Sequence, residues 1–162
     1  MNHEVPALFA SRNDFIAAVR AALADVAQHG GRELWMLDLD FADWPLNEPA
    51  VIEHLRLWAR PHRKLTLIAH DFDTVARRHP RWVDFRRTWA HVVECRTNTE
   101  VEAGRMPSLL LAPGRLVLRR FDPLRYRGSV SHDAASQLQT REVVEAVLQR
   151  STLAFPPSVL GV

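Results

Sequence analysis

Lysine is almost missing from this 162-residue chain: Lys64 is the only one among 21 basic residues. Cysteine is equally scarce. Cys95 stands alone, so no disulfide can form within the chain, and its place in HVVECR reads as a buried, unreactive thiol. No apolar run approaches the ~20 residues that cross a bilayer. No basic start followed by an apolar stretch marks a secretory leader. These gaps lead to the expectation of a cytoplasmic protein with no membrane partner. Neither HExxH nor CxxC occurs, and the histidines are scattered from His3 to His132, so no zinc and no cofactor are expected. Repeats, heptads and low-complexity segments are also lacking.

What is present is an ordinary core-forming composition, 47% apolar, with a strong charge polarity hidden under a net charge of +2. Residues 1–53 hold three arginines against nine acids; residues 54–96 hold ten basic and four acidic residues; residues 105–127 hold six arginines and one acid. Arginine presents a planar fork to phosphate or carboxylate. Such density suits either a phosphate-rich partner or pairing with the acidic first third.

The apolar spacing predicts an α/β domain. Phe15, Val19, Leu23 and Val26 mark the buried stripe of a helix over 14–29 capped by Asn13. ELWMLDL (33–39) is a strand, residues 48–60 a helix, KLTLIA (64–69) a strand. A short helix through Arg78 and another over 82–89 precede the strand HVVECR (91–96). This βαβαβ order implies right-handed crossovers and parallel pairing. MPSLLLAPGRLVLRR (106–120) then reads as a hairpin turning at Pro113–Gly114, its leucines buried on both faces. Residues 121–132 read as a loop, and Asp133 caps a last helix over 134–150 with Leu138, Val143 or Val144, and Val147 or Leu148 facing the core. The expected fold is one domain, 1–162, with a mixed, mostly parallel sheet flanked by helices. Its core spans about 10–152, and an apolar, non-helical tail covers 153–162.

Two groups of residues stand out chemically. Asp38, Asp40 and Asp43 follow the first strand, and His70, Asp71 and Asp73 follow the second, where open α/β sheets place ligands. Oxygens from two loops could hold magnesium, and His70 beside Asp71 is an acid–base pair in search of a nucleophile. The same acids also suit loop N–H bonds and helix caps. Arg77, Arg78, Arg86 and Arg87, interleaved with aromatics, and Arg125 and Arg127 around Tyr126 form the candidate phosphate-binding surface. Trp82, Phe85 and Trp89 also fit one buried helix face, which explains them without a ligand.

The DLD triplet resembles the aspartate signature of haloacid-dehalogenase-like phosphatases, which implies Asp38 as nucleophile and Asp40 as acid–base group. Ala42 departs from that signature, and no later lysine completes it. ELWMLDLDF, KLTLIAHD, RHPRW, HVVECR, the hairpin and TREVVEAVLQR together resemble the phospholipase-D-like fold in one-half form. The resemblance extends to the small bacterial domain of that fold also found attached to acetyltransferase-type proteins. It implies a histidine, lysine and aspartate spaced H-x-K-x4-D, a covalent phosphohistidine, and pairing of two halves, hence a homodimer. Met106, Ser108 and Pro113 stand at the three positions. Methionine cannot attack phosphorus, and proline carries no base.

The expected role is therefore a non-catalytic binding or interaction domain, without catalytic residues or metal. A magnesium-dependent phosphatase on Asp38 and Asp40 and a nucleic-acid binder on the arginine surface are the alternatives, the latter not favoured.

Overall fold

A computed structural model describes residues 5–157. His3, Val159 and Leu160 lie outside them. Among the described residues eight strands form one sheet: β1 (Ala7–Ala10), β2 (Glu33–Leu37), β3 (Lys64–Ala69), β4 (Val93–Thr97), β5 (Leu109–Ala112), β6 (Leu116–Asp122), β7 (Arg127–Ser131) and β8 (Thr152–Leu153). Their order is β1-β7-β6-β5-β2-β3-β4-β8. The helices are α1 (Arg12–His29), α2 (Pro49–Trp58), α3 (Asp73–Arg78), α4 (Pro80–Thr88) and α5 (Ala134–Gln149).

The expectation of a mostly parallel sheet is corrected. Among the described residues only β2–β3 and β3–β4 are parallel, the two pairs joined by helical crossovers. The other ladders are antiparallel. Short turns join β5 to β6 and β6 to β7, and a short turn can only reverse the chain. The segment 121–132, expected as a loop, ends β6 and contains β7. Its glycine and serines are depleted in strands and gave no apolar alternation. Edge strand β1 buries only Phe9, and β8 is two residues long, so neither carried a readable period.

Two apolar layers enclose the sheet. On one face α1, α2, α3 and α4 cover a large cluster that includes Phe15, Leu23, Trp58, Trp82 and Leu110. On the other, Val144 and Val147 of α5 pack on Leu37, Ile68, Leu109, Leu111 and Val117. The hairpin leucines divide between the faces as expected, Leu110, Leu116 and Leu118 on one and Leu109 and Leu111 on the other. Gly114 takes positive φ in the turn.

Several local expectations shift. Ser11, not Asn13, caps α1, its Oγ accepting the Asp14 N–H at 3.1 Å. Asp133 caps α5 as expected, accepting the Ser136 N–H at 2.7 Å. Leu138 faces solvent, because α5 covers the sheet with its later turns. Cys95 is fully buried, and burial pushes its thiol up to about 12. Arg86 is also buried, donating to the Val93 carbonyl at 2.6 Å and the Phe155 carbonyl at 3.2 Å. Phe155 in turn stacks on Phe72 and packs by Trp82, which holds it over α3 and α4.

Gly128 lets β1 close on β7. A Cβ there would run into the Arg119 carbonyl oxygen and the Phe9 ring, whereas one at Gly31 meets nothing within 4 Å. Gly128→Ala is expected to destabilise the fold by about 3 kcal/mol through overpacking. Gly31→Ala should stay within roughly 0.5 kcal/mol of the parent. Urea unfolding of both variants checks this.

Candidate functional site

Alternation along β6 sends Leu116, Leu118 and Arg120 to the face covered by α1. The last of them brings a guanidinium into the core beside the carboxyl end of β2. Its nitrogens are all matched: Nε donates to Ser108 Oγ at 3.1 Å, Nη1 to Asp43 Oδ2 at 3.0 Å and Nη2 to Asp38 Oδ1 at 2.9 Å. The Phe15 ring lies 4.5 Å away and the Tyr126 ring 5.5 Å, so two aromatic faces hold the cation. The Arg120 and Asp38 side chains are only 4% and 3% exposed.

Asp38 is committed on both oxygens. Oδ2 accepts the Phe41 N–H at 2.8 Å and the Asp40 N–H at 3.2 Å. This folds the loop after β2 tightly enough to put Phe41 at φ 59°. Asp43 Oδ1 accepts the Tyr126 hydroxyl at 3.1 Å. Asp40 accepts the Ala42 N–H at 3.0 Å.

Beside this closed cluster lies an open cleft of about 500 Å³, whose lining includes Arg12, Arg20, Trp44, Glu48, Arg78 and His79. Arg20 is tied to Glu48 by two bonds of 2.7 and 2.6 Å, and these hold the Glu48 carboxyl below its usual range. His79 Nε2 meets the Phe41 carbonyl at 2.8 Å, which makes it the protonated nitrogen of the neutral ring. Burial holds this imidazole below the usual 6.5.

The structure brings Asp38, Asp40 and Asp43 to one loop and closes that loop on Arg120. His70 and Asp71 follow the neighbouring strand β3, and Asp71 accepts the Asp73 N–H at 3.1 Å. No hydrogen bond joins His70, Asp71 or Asp73 to the Arg120 cluster among the described residues. Nor do three His, Cys, Asp or Glu side chains assemble as metal ligands there. The arginine group separates. Arg78 lines the cleft, Arg77 donates back to the Asp73 carbonyl, and Arg87 and Arg125 pair with Asp84 and Asp122. Arg127 is exposed on β7 opposite Ala10, two residues before Arg12. Buried Arg86 cannot belong to a surface, and is removed from it: its chain carbonyl partners needed an internal donor. Ser108 is buried against Arg120, Met106 packs under α5, and Pro113 sits in the hairpin turn.

Arg120, His79, Arg12 and Arg20 were missed from sequence. A signal existed for Arg120: two residues beyond Leu118, it shares the buried face of β6.

A family model described as "Domain of unknown function (DUF7931)" matches residues 16–153. The chain belongs to that family. No curated protein matches it. Among solved structures, the archaeal chromatin protein TrmBL2 matches at TM-score 0.66 and 10% identity, over 95% of this chain. This chain spans 55% of the TrmBL2 chain. Nuc of Salmonella typhimurium, a phospholipase D family member, matches at TM-score 0.60 and 8% identity, over 93% of this chain and 99% of its own. NucT of Helicobacter pylori matches at TM-score 0.58 and 7% identity, with the same coverage of 93% and 99%. This DUF7931 chain thus has the phospholipase-D-like fold.

Arg120→Met strands a buried carboxylate and is expected to cost about 3–5 kcal/mol. Adding Asp38→Asn to it should restore part of that loss, a non-additivity that a denaturant double-mutant cycle measures. His79 gives a pH signature. Its folded-state pKa lies below 6.5, so between the two values the unfolded chain binds more protons than the folded one. Its contribution to stability is present above pH 6.5 and is lost as pH falls from there through the folded-state pKa. His79→Gln should flatten that acid limb in unfolding curves taken on either side of pH 6.5.

Proposed function

We propose that this domain binds nucleic acid through the phosphate backbone and does not cleave it. One observation carries the reading: Arg12, Arg20 and Arg78, from two distant stretches of chain, meet in one cleft beside the sealed Arg120 cluster. Arg81 lies next to it, donating at 3.1 Å to the carbonyl of Asn47, which lines the cleft. Arg127 extends the basic surface along the end of the sheet. Arginine forks in and beside a cleft suit phosphates spaced along a strand.

The absence of cleavage is supported by Met106, Ser108 and Pro113 at the catalytic positions implied by the family resemblance. Ser108 has neither charge nor a nucleophile's partner, and its hydroxyl is taken by Arg120. The fold relative TrmBL2 is described as a chromatin protein that binds DNA, which supports the choice of ligand class. The phosphatase alternative draws less support: Asp38 is 2% exposed, and both of its oxygens already accept bonds.

Fluorescence anisotropy with short DNA and RNA across a salt series tests the proposal. Affinity should fall steeply with salt, and Arg12→Ala with Arg127→Ala should lower the logarithmic salt slope by about 2, roughly one for each phosphate contact removed. No binding at low salt, or binding unaffected by these changes, would overturn it. Turnover of a phosphodiester substrate would overturn the non-catalytic half.

A further inference from the structure

We propose that the cleft at the start of α1 is a pocket for a single phosphomonoester group, such as a strand terminus or a nucleotide. This rests on the nucleic-acid reading and adds a discrete end-recognition site to it. The electrostatics come first. Glu48 is spent on Arg20 through two short bonds. Asp43 is held at 3.0 Å by Arg120 and at 3.1 Å by Tyr126, while Arg12 reaches it only at 4.0 Å. Arg78 has no carboxylate partner among the described residues. Two exposed guanidiniums therefore face the cleft without close neutralisation, one from the first turn of α1 and one from the last turn of α3.

The helix end adds to them. α1 runs for 18 residues, and its Ser11 cap takes the Asp14 N–H. The Arg12 and Asn13 N–H groups remain at the open, electropositive end, and both residues line the cleft. A second, independent feature points to a ligand here. Trp44 and His79 also line the cleft, are 1% and 5% exposed, and each keeps a ring nitrogen with no hydrogen-bond partner. Buried polar atoms without partners are rare in folded proteins. With Nε2 protonated toward Phe41, His79 Nδ1 is an acceptor, and Trp44 Nε1 is a donor. A phosphate oxygen and its water match these two in acceptor and donor type.

The group's valence selects the monoester. A phosphodiester offers two unesterified oxygens, whereas a phosphomonoester offers three and carries close to two charges near neutral pH. Three oxygens can meet Arg12, Arg78 and the helix end together. A volume of about 500 Å³ lies within the range of small-ligand sites and admits a nucleotide.

The test compares the same short single strand with a 5′-phosphate, a 3′-phosphate or hydroxyl ends, by anisotropy, and adds calorimetry with adenosine monophosphate and inorganic phosphate. One phosphorylated strand should bind about tenfold tighter than the hydroxyl-ended one, the equivalent of one charge-assisted contact. Arg78→Ala should erase that difference, lowering affinity for the phosphorylated strand about tenfold more than affinity for the hydroxyl-ended one. Arg60→Ala, whose exposed side chain precedes β3 at the opposite end of the sheet, should change neither. Equal binding of all strands, with no heat from either small phosphate, overturns the pocket and leaves the nucleic-acid reading standing. Binding of the mononucleotide with no strand binding keeps the pocket and overturns that reading. Heat with inorganic phosphate alone, unaffected by Arg78→Ala, also overturns the pocket.

Discussion

A single buried cation organises this end of the molecule. The Arg120 guanidinium lies in a setting where an unpaired charge would be expelled or would unfold its surroundings. It persists because every nitrogen finds an oxygen and two aromatic rings lie against it. Those partners come from the residue just before β5, from the loop after β2, from α1 and from the β6–β7 turn. Because the cost of leaving any of these bonds unmade is high, the arginine locks four parts of the chain into one arrangement. The aspartate loop and the start of α1 are set by it, and with them the walls of the neighbouring cleft.

The same interaction separates structure from ligand chemistry. Asp38 and Asp40 look like reactive acids when read along the chain. Once folded, Asp38 neutralises Arg120 and braces two backbone N–H groups. Asp43 repeats the pattern at the rim, shared between Arg120 and Tyr126. With the acids consumed internally, the arginines around the cleft are left with fewer counter-charges than the sequence count suggests. The unneutralised arginines on which the proposed phosphate binding rests thus follow from how the negative charges are spent.

The periodic elements were legible before folding. The stripe Phe15, Val19, Leu23 and Val26, the strand KLTLIA and the face Trp82–Phe85 each carry their period in consecutive residues, and each is buried as read. β1, β7 and β8 were not legible. They are short edge or near-edge strands whose pairing comes from distant partners and from backbone bonds, to which side-chain hydrophobicity gives little clue. Misreading them is what made the sheet seem mostly parallel. Arg86 failed for a related reason: a charged residue on a helix is read as solvated unless one knows that the carbonyls of Val93 and Phe155 wait beneath it.

By itself the sequence determined the helices and central strands, the buried thiol and the two-faced hairpin. These depend on local spacing or on residue identity, which the chain states directly. Only the tertiary structure decided which acids are free, which arginines are exposed and which residues meet at the cleft. Arg12, Arg78 and His79 become neighbours because α1 and the segment around α3 pack on the same sheet face, and Arg120 reaches Asp38 across 82 positions of chain. Charge is carried by single residues, but its availability is a property of pairs, and pairs at such separations exist only after the chain has folded.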